Sequence, residues 1–287
     1  MSSGDFHTHS TRSDGKLTPS ALVDLAAARG VRVLALTDHD TLDGLDEAIA
    51  AAARHPGFTL IPGVELSCDV PGTEVHMLGL CIDRHDERLR TELERFRRGR
   101  IERATRMVEA LAGLGAPIEW SRVQEIAGEA SVGRPHVAQA LLERGHVQTF
   151  EEAFDRYLGR DGPAYFERER LAPAEAIALI HAAGGLPIFA HPSFTKDYER
   201  VATELAAAGL FGMEAYYKAY APEVVASLCA LAARLHLFAL GGSDFHGIAR
   251  LDERAPGDIP LPDAVVRAFL EAARAQGCQV PDPTPAA

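Results

Sequence analysis

The chain has only four cysteines in 287 residues, Cys68, Cys81, Cys229 and Cys278, spaced far apart and never as C-x-x-C. This excludes a disulfide framework and a thiolate zinc site, and suits buried free thiols in a reducing compartment. No apolar run approaches the roughly 18 residues needed to span a bilayer. Met1-Ser2-Ser3-Gly4-Asp5 lacks the basic and apolar regions of a signal peptide, so a cytoplasmic protein without a membrane partner is expected. Net positive charge is missing as well. A formal net charge of -12 argues against indiscriminate binding to duplex DNA or anionic membrane, and some of the carboxylates are candidates for holding cations. No internal repeat and no low-complexity linker interrupts the chain.

What is present is a repeated alternation of strand and helix. Short apolar runs at Asp5-Phe6, Val31 to Leu36, Phe58 to Val64, Val75 to Ile82, Leu186 to Ala190, Leu210 to Tyr217 and Leu237 to Leu240 read as seven strands. Between them lie helical stretches such as Ala21 to Arg29, introduced by Thr18-Pro19 and ended by Gly30. Such alternation predicts a parallel sheet, either open and doubly wound or closed into a barrel. From about residue 86 to 170 the rhythm becomes mainly helical. The expected organisation is therefore a discontinuous barrel of residues 1–85 and 171–280, a helical insertion at 86–170, and a loose tail at 281–287.

The strands end in residues of one chemical kind. His7 and His9 are two apart, so on a strand both imidazoles face the same side and can reach one point. His39, Glu65, His191, Asp244 and His246 also fall at or just past strand ends, where α/β folds bind ligands. His76 stands instead near a strand start. Together these are six histidines and two acids of metal-ligand type, with Asp14, Asp38 and Asp40 in adjacent loops. One ion needs only four to six such groups, so two or three ions are implied, and Glu65 can bridge them. Imidazole and carboxylate without thiolate suit Mn²⁺, Fe²⁺ or Zn²⁺. Convergence of ligands from first, middle and last strands favours the closed barrel. A surplus of ligands favours catalysis over a structural site. Bound metal can lower the pKa of water from about 16 to about 7, supplying hydroxide for phosphoester hydrolysis, with amide hydrolysis the physical competitor.

Other residues carry less signal. Ser10 and Ser243 lie outside any G-x-S-x-G context and are expected to hydrogen-bond the ligands rather than attack substrate. His55, His85, His146, His181 and His236 read as structural or surface residues. Arg95, Arg97, Arg98, Arg100, Arg103 and Arg106, interleaved with Glu92, Glu94 and Glu102, form either a solvated helix face or an anion-binding patch.

Six motifs in order, His7-x-His9, Thr37-Asp38-His39, Gly63-Val64-Glu65, Val75-His76, Ala190-His191-Pro192 and Gly242-Ser243-Asp244-Phe245-His246, resemble those of the polymerase and histidinol phosphatase (PHP) family of metallo-hydrolases. The resemblance implies a distorted (β/α)7 barrel holding two or three metal ions. It assigns His7, His9, Glu65 and Asp244 to one ion, Glu65, His76 and His191 to a second, and Asp14, His39 and His246 to a third. Many relatives carry histidine where this chain has Asp14, which bears on the third site. The insertion and Gly133-Arg134-Pro135-His136 resemble the branch that removes the 3'-phosphate from 3',5'-bisphosphonucleotides or trims RNA from its 5' end. That likeness makes Arg134 and His136, with Arg100 and Arg103, candidate substrate-binding residues. Asp14, Asp40 and His191 are the candidate catalytic side chains, and the leaving group is expected to take its proton from Asp14, Asp40 or a metal-bound water. The expected activity is a phosphomonoesterase acting by metal-hydroxide attack on a nucleotide bisphosphate. Its alternatives are a 5'-3' exoribonuclease on short RNA ends, a histidinol-phosphate phosphatase, or a metal-loaded regulatory protein.

Overall fold

The computed structural model describes residues 1–70, 73–128, 131–167, 171–218, 220–248 and 253–280, so the expected tail lies outside the described residues. Seven strands form one sheet in sequence order. They are β1 (Gly4–Asp5), β2 (Val33–Leu36), β3 (Thr59–Val70), β4 (Thr73–Leu80), β5 (Leu186–Phe189), β6 (Gly212–Tyr217) and β7 (Phe238–Gly242). The helices are α1 (Pro19–Ala28), α2 (Leu45–Ala52), α3 (Glu87–Gly113), α4 (Trp120–Ala127), α5 (Arg134–Glu143), α6 (Phe150–Ala153), α7 (Pro173–Ala182), α8 (Tyr198–Ala207), α9 (Pro222–Arg234) and α10 (Asp263–Ala275). The chain divides into two compact units, Met1–Thr91 with Arg170–Ala287, and Glu92–Glu169.

In the first unit the sheet curls until its ends meet. The Phe6 N–H donates to Gly241 O at 3.3 Å, Asp244 N–H to His7 O at 2.8 Å and His9 N–H to Phe245 O at 2.9 Å. These bonds join the residues after β1 to those around the end of β7 and nearly close a barrel. Its core contains Phe6, Ala35, Ile61, Leu78, Ile188 and Leu240, with Phe269 of α10 edge-on to Phe6 at 4.7 Å. Local signals act as expected at α1, where Thr18 Oγ1 accepts the Ala21 N–H and Gly30 leaves the helix at φ +85°.

The sheet departs from the parallel expectation at one strand. β4 is antiparallel to both β3 and β5. Only residues 71–72 separate β3 from β4, too few for the crossover that a parallel pair requires. β3 is also longer than the sequence suggested, so Glu65 lies within it rather than beyond its end. The reversal explains His76: as β4 runs backwards, its beginning sits beside the later half of β3, with His76 opposite Ser67. A residue near a strand start thereby reaches the end of the barrel where the other strands deliver their last residues.

The second unit has its own core, including Met107, Leu111, Val123, Val137, Leu141 and Leu158.

Closure requires a glycine at 242. A Cβ there would stand 2.6 Å from the His7 backbone nitrogen, with no flexible group to yield. Gly242→Ala is expected to destabilise the fold by about 1–3 kcal/mol or more through overpacking. Urea unfolding measures this, and unchanged stability would contradict the closure described.

Candidate metal centre

Glu65 stands at the centre of the barrel end, 1 % exposed. Its Oε2 lies 3.2 Å from His7 Nε2, 3.2 Å from His9 Nε2 and 3.1 Å from His39 Nδ1. Its Oε1 lies 2.8 Å from His76 Nδ1 and 3.3 Å from His191 Nε2. The two oxygens thus face different histidines, the arrangement a bridging carboxylate needs. Asp244 Oδ1 meets His9 Nε2 at 3.1 Å and His7 Nε2 at 3.4 Å, and Asp14 Oδ1 meets His246 Nε2 at 3.2 Å.

Donor atoms gather into three overlapping groups, each compact enough for one ion: His7, His9, Glu65 and Asp244; His9, Asp14, His39 and His246; and His39, Glu65 and His76. The geometry adds His9 to the Asp14 group and puts His39 with Glu65 and His76, while His191 approaches the same Glu65 oxygen as His76. Three of these atoms, His39 Nδ1, His76 Nδ1 and Asp14 Oδ1, are buried without a hydrogen-bond partner among the described residues although oxygen or nitrogen stands within 3.2 Å of each. Close approach without hydrogen-bond geometry is what lone pairs produce when they aim at a common point. The residues therefore fit divalent cations, as does the donor chemistry of imidazole with carboxylate.

The charges require compensation. Burial alone would raise the acids, yet the surrounding imidazoles hold Glu65, Asp14 and Asp244 well below the usual carboxylate range. Held in that direction, Asp14 offers a carboxylate to a cation. Burial opposes charge on His9, but Asp244 and Glu65 raise its pKa to about 10. His7 is likewise held well above its ordinary value, against burial, by Glu214, Glu65 and Asp244. His39 goes the other way, down to about 3, because burial and the neighbouring histidines outweigh the acids. A proton and a metal ion compete for the same imidazole lone pair, so metal loading at these histidines is expected to be pH-dependent.

An outer layer fixes the donors. Glu214 on β6 is fully buried, lies 3.1 Å from His7 Nδ1 through Oε1 and accepts the His191 N–H at 2.7 Å. This residue was not singled out in the sequence, where it was one acid in an apolar strand; an acid at a buried strand position was the available signal. Tyr217 Oη donates to Asp244 Oδ2 at 2.6 Å, and Lys218 Nζ lies 2.9 Å from the same oxygen. Asp38 accepts from Ser10 N–H, Ser10 Oγ and Ser13 Oγ at 2.6 to 2.7 Å. Strain collects here too: Asp40, His191, Lys218 and Asp244 all take positive φ, between 29° and 50°. Each costs on the order of 1–3 kcal/mol, which the surrounding packing must offset.

Remaining candidates fall elsewhere. Asp40 Oδ1 accepts the Ser67 N–H at 3.1 Å, and Asp40 N–H donates to Glu65 O at 3.0 Å, tying the loop after β2 to β3. Ser243 N–H donates to Asp5, whose buried carboxyl is pushed up to about 6. His55, His146 and His181 pair with Asp24, Pro117 O and Gly209 O, and none of the three belongs to a donor group among the described residues. In the second unit, His136 Nδ1 accepts the Gly133 N–H at 3.0 Å and so caps α5, leaving the ring proton on Nε2. The Arg134 guanidinium lies 5.8 Å from the Phe154 ring centre and 5.9 Å from that of Tyr165. Arg100 Nη1 is 3.5 Å from the place of a Cβ on Gly133, and Arg103 is buried.

Overlapping imidazole and carboxylate donors at one end of a seven-stranded barrel define a metal-dependent hydrolase. Residues 5–160 match the PHP domain family. A 5'-3' exoribonuclease from Haemophilus influenzae is 37 % identical over 246 residues, spanning 84 % of this chain and 89 % of its own. A 3',5'-nucleoside bisphosphate phosphatase from Chromobacterium violaceum is 36 % identical over 256 residues, 86 % of this chain and 88 % of its own. In structure, an amidohydrolase from Chromobacterium violaceum with bound sulfate and no metal superposes with a TM-score of 0.85 at 32 % identity, over 96 % of this chain and 97 % of that one. The chain belongs to the PHP family and is a metal-dependent phosphoesterase.

His9 serves two of the donor groups, so His9→Ala is expected to reduce bound metal and turnover together, measured by elemental analysis beside activity. Full loading would remove His9 from the ligands. Glu214→Gln keeps the shape but weakens the hold on His7; metal affinity should fall about 10- to 100-fold. An unchanged affinity in a metal titration would leave Glu214 a merely structural acid.

Proposed function

We propose that the protein is a phosphomonoesterase that removes the 3'-phosphate from 3',5'-bisphosphonucleotides, with Mn²⁺ as the preferred metal and Fe²⁺ or Zn²⁺ as substitutes. The observation that carries the reading is Glu65, whose two oxygens face separate sets of histidines and suit a bridge between ions. Bound divalent ions would supply an activated water and offset charge on the phosphoryl oxygens. His7, His9, Glu65 and Asp244 hold the first ion in this reading. His76 and His191 act with Glu65, and Asp14, His39 and His246 with His9. Asp40 orders the segment carrying Glu65 through its bond to Ser67.

The substrate assignment rests on two supports. The first is the likeness to the bisphosphate phosphatase, a relative over most of both chains. The second is the insertion, where Arg134 offers a planar fork suited to a phosphate and lies beside Tyr165, whose buried hydroxyl has no hydrogen-bond partner among the described residues. Arg134 and His136 are the proposed phosphate-binding pair, with Arg100 and Arg103 adding charge. An acidic chain with a local arginine cluster suits a small polyanion better than a long one. Likeness to the exoribonuclease favours a second reading, cleavage of short 5'-phosphorylated RNA.

Parallel assays of the Mn²⁺-loaded protein on 3',5'-bisphosphoadenosine, histidinol phosphate and a short 5'-phosphorylated RNA test the choice. The proposal expects preferred release of phosphate from the first, leaving AMP. Preference for RNA would install the second reading, and no release from any would overturn both. Arg134→Ala should raise KM about tenfold or more with metal content unchanged. Loss of metal in that variant would show the residue in a different role.

A further inference from the structure

Phe194 is the most exposed aromatic side chain among the described residues, at 69 %. Every other phenylalanine, tyrosine or tryptophan there is buried or partly covered. An exposed aromatic ring forgoes stabilisation that burial would give, so its placement calls for a reason. Phe194 closes a single turn, Pro192–Phe194, that begins directly after His191, and its N–H donates to His191 O at 3.1 Å. Its ring centre is 5.8 Å from that of His191, whose Nε2 faces Glu65. An open aromatic surface thus stands one ring away from the donor cluster.

The ring is also held. Tyr217 meets it edge-on at 5.8 Å and Tyr220 lies tilted at 6.4 Å. Tyr217 is bonded to Asp244, and the Ser193 hydroxyl donates to Tyr220 Oη at 2.5 Å, tying the turn to the segment after β6. A supported ring with an open side loses little freedom when a flat ligand settles on it. Lys218 adds a cation in the same place, 5.2 Å from the Tyr217 ring centre and 2.9 Å from Asp244 Oδ2. The surroundings therefore offer aromatic surface beside sites for anionic oxygens, and a nucleotide combines those two features in one molecule.

We propose that Phe194, backed by Tyr217 and Tyr220, is the platform on which the substrate's nucleobase stacks while its phosphate sits at the histidine cluster. This rests on the phosphatase reading for the identity of the phosphate, but the platform itself serves any nucleotide. Every base has an aromatic face, so the contact is tolerant of base identity. It selects nucleotides over base-free phosphate esters.

The test compares wild type, Phe194→Ala and Phe194→Tyr, all metal-loaded, by calorimetric binding of 5'-AMP and of ribose 5-phosphate, beside turnover of 3',5'-bisphosphoadenosine. Phe194→Ala should weaken AMP binding at least about fivefold and leave ribose 5-phosphate binding unchanged, with KM raised in parallel and kcat within about twofold. Phe194→Tyr should retain wild-type AMP binding. Equal binding of AMP by wild type and Phe194→Ala, or equal loss of both ligands, would overturn the platform. If the wild type releases no phosphate from the bisphosphate, the functional reading fails by itself, and the difference between AMP and ribose 5-phosphate still decides the role of Phe194.

Discussion

A single buried carboxylate sets the terms for the barrel. Glu65 is surrounded by nitrogen atoms from His7, His9, His39, His76 and His191, all within 3.3 Å of one or other of its oxygens. A charge removed from water costs several kcal/mol unless it is paired and hydrogen-bonded. Five imidazoles around one acid satisfy that demand only when cations, protons or metal ions, are present. The same arrangement that makes the centre expensive to fold makes it receptive to divalent cations.

Bringing those imidazoles together is the work of the fold. His7 and His9 follow the first strand, whereas Asp244 and His246 follow the last, so they meet only because the sheet closes. Gly242 allows the two segments to approach. Asp5 binds the Ser243 and Gly257 N–H groups at 2.9 and 3.0 Å and locks the junction from below. Glu214 then couples two histidines of the cluster from different strands, bonding to His7 through its ring and to His191 through its backbone. Positive φ at His191 and Asp244 shows backbone conformations maintained where side chains must be aimed.

Much of this was legible in the sequence because ligands in parallel folds gather at strand ends. His7, His9, His39, Asp244 and His246 follow that rule, and their residue types carry the chemistry directly. His76 did not, since the reversal of β4 is a consequence of a short connection whose effect on the whole sheet only the fold reveals. Glu214 was hidden for a different reason: an acid inside an apolar strand has no local pattern, and its value comes from a histidine 207 positions earlier. Asp40 accepts the Ser67 N–H, a bond between segments 27 positions apart that no local sequence pattern announces. Phe194 offered no sequence signal, because exposure is a property of packing alone.

The central claim is that overlapping donor groups hold more than one ion with Glu65 shared between them. Elemental analysis of Mn²⁺-equilibrated wild type and Glu65→Ala, each checked for retained fold, addresses it most directly. The account predicts at least two ions per chain in the wild type, in keeping with the overlapping groups, and loss of at least one in the variant. A wild type that binds a single ion, or a Glu65→Ala protein that keeps its full complement, would contradict it.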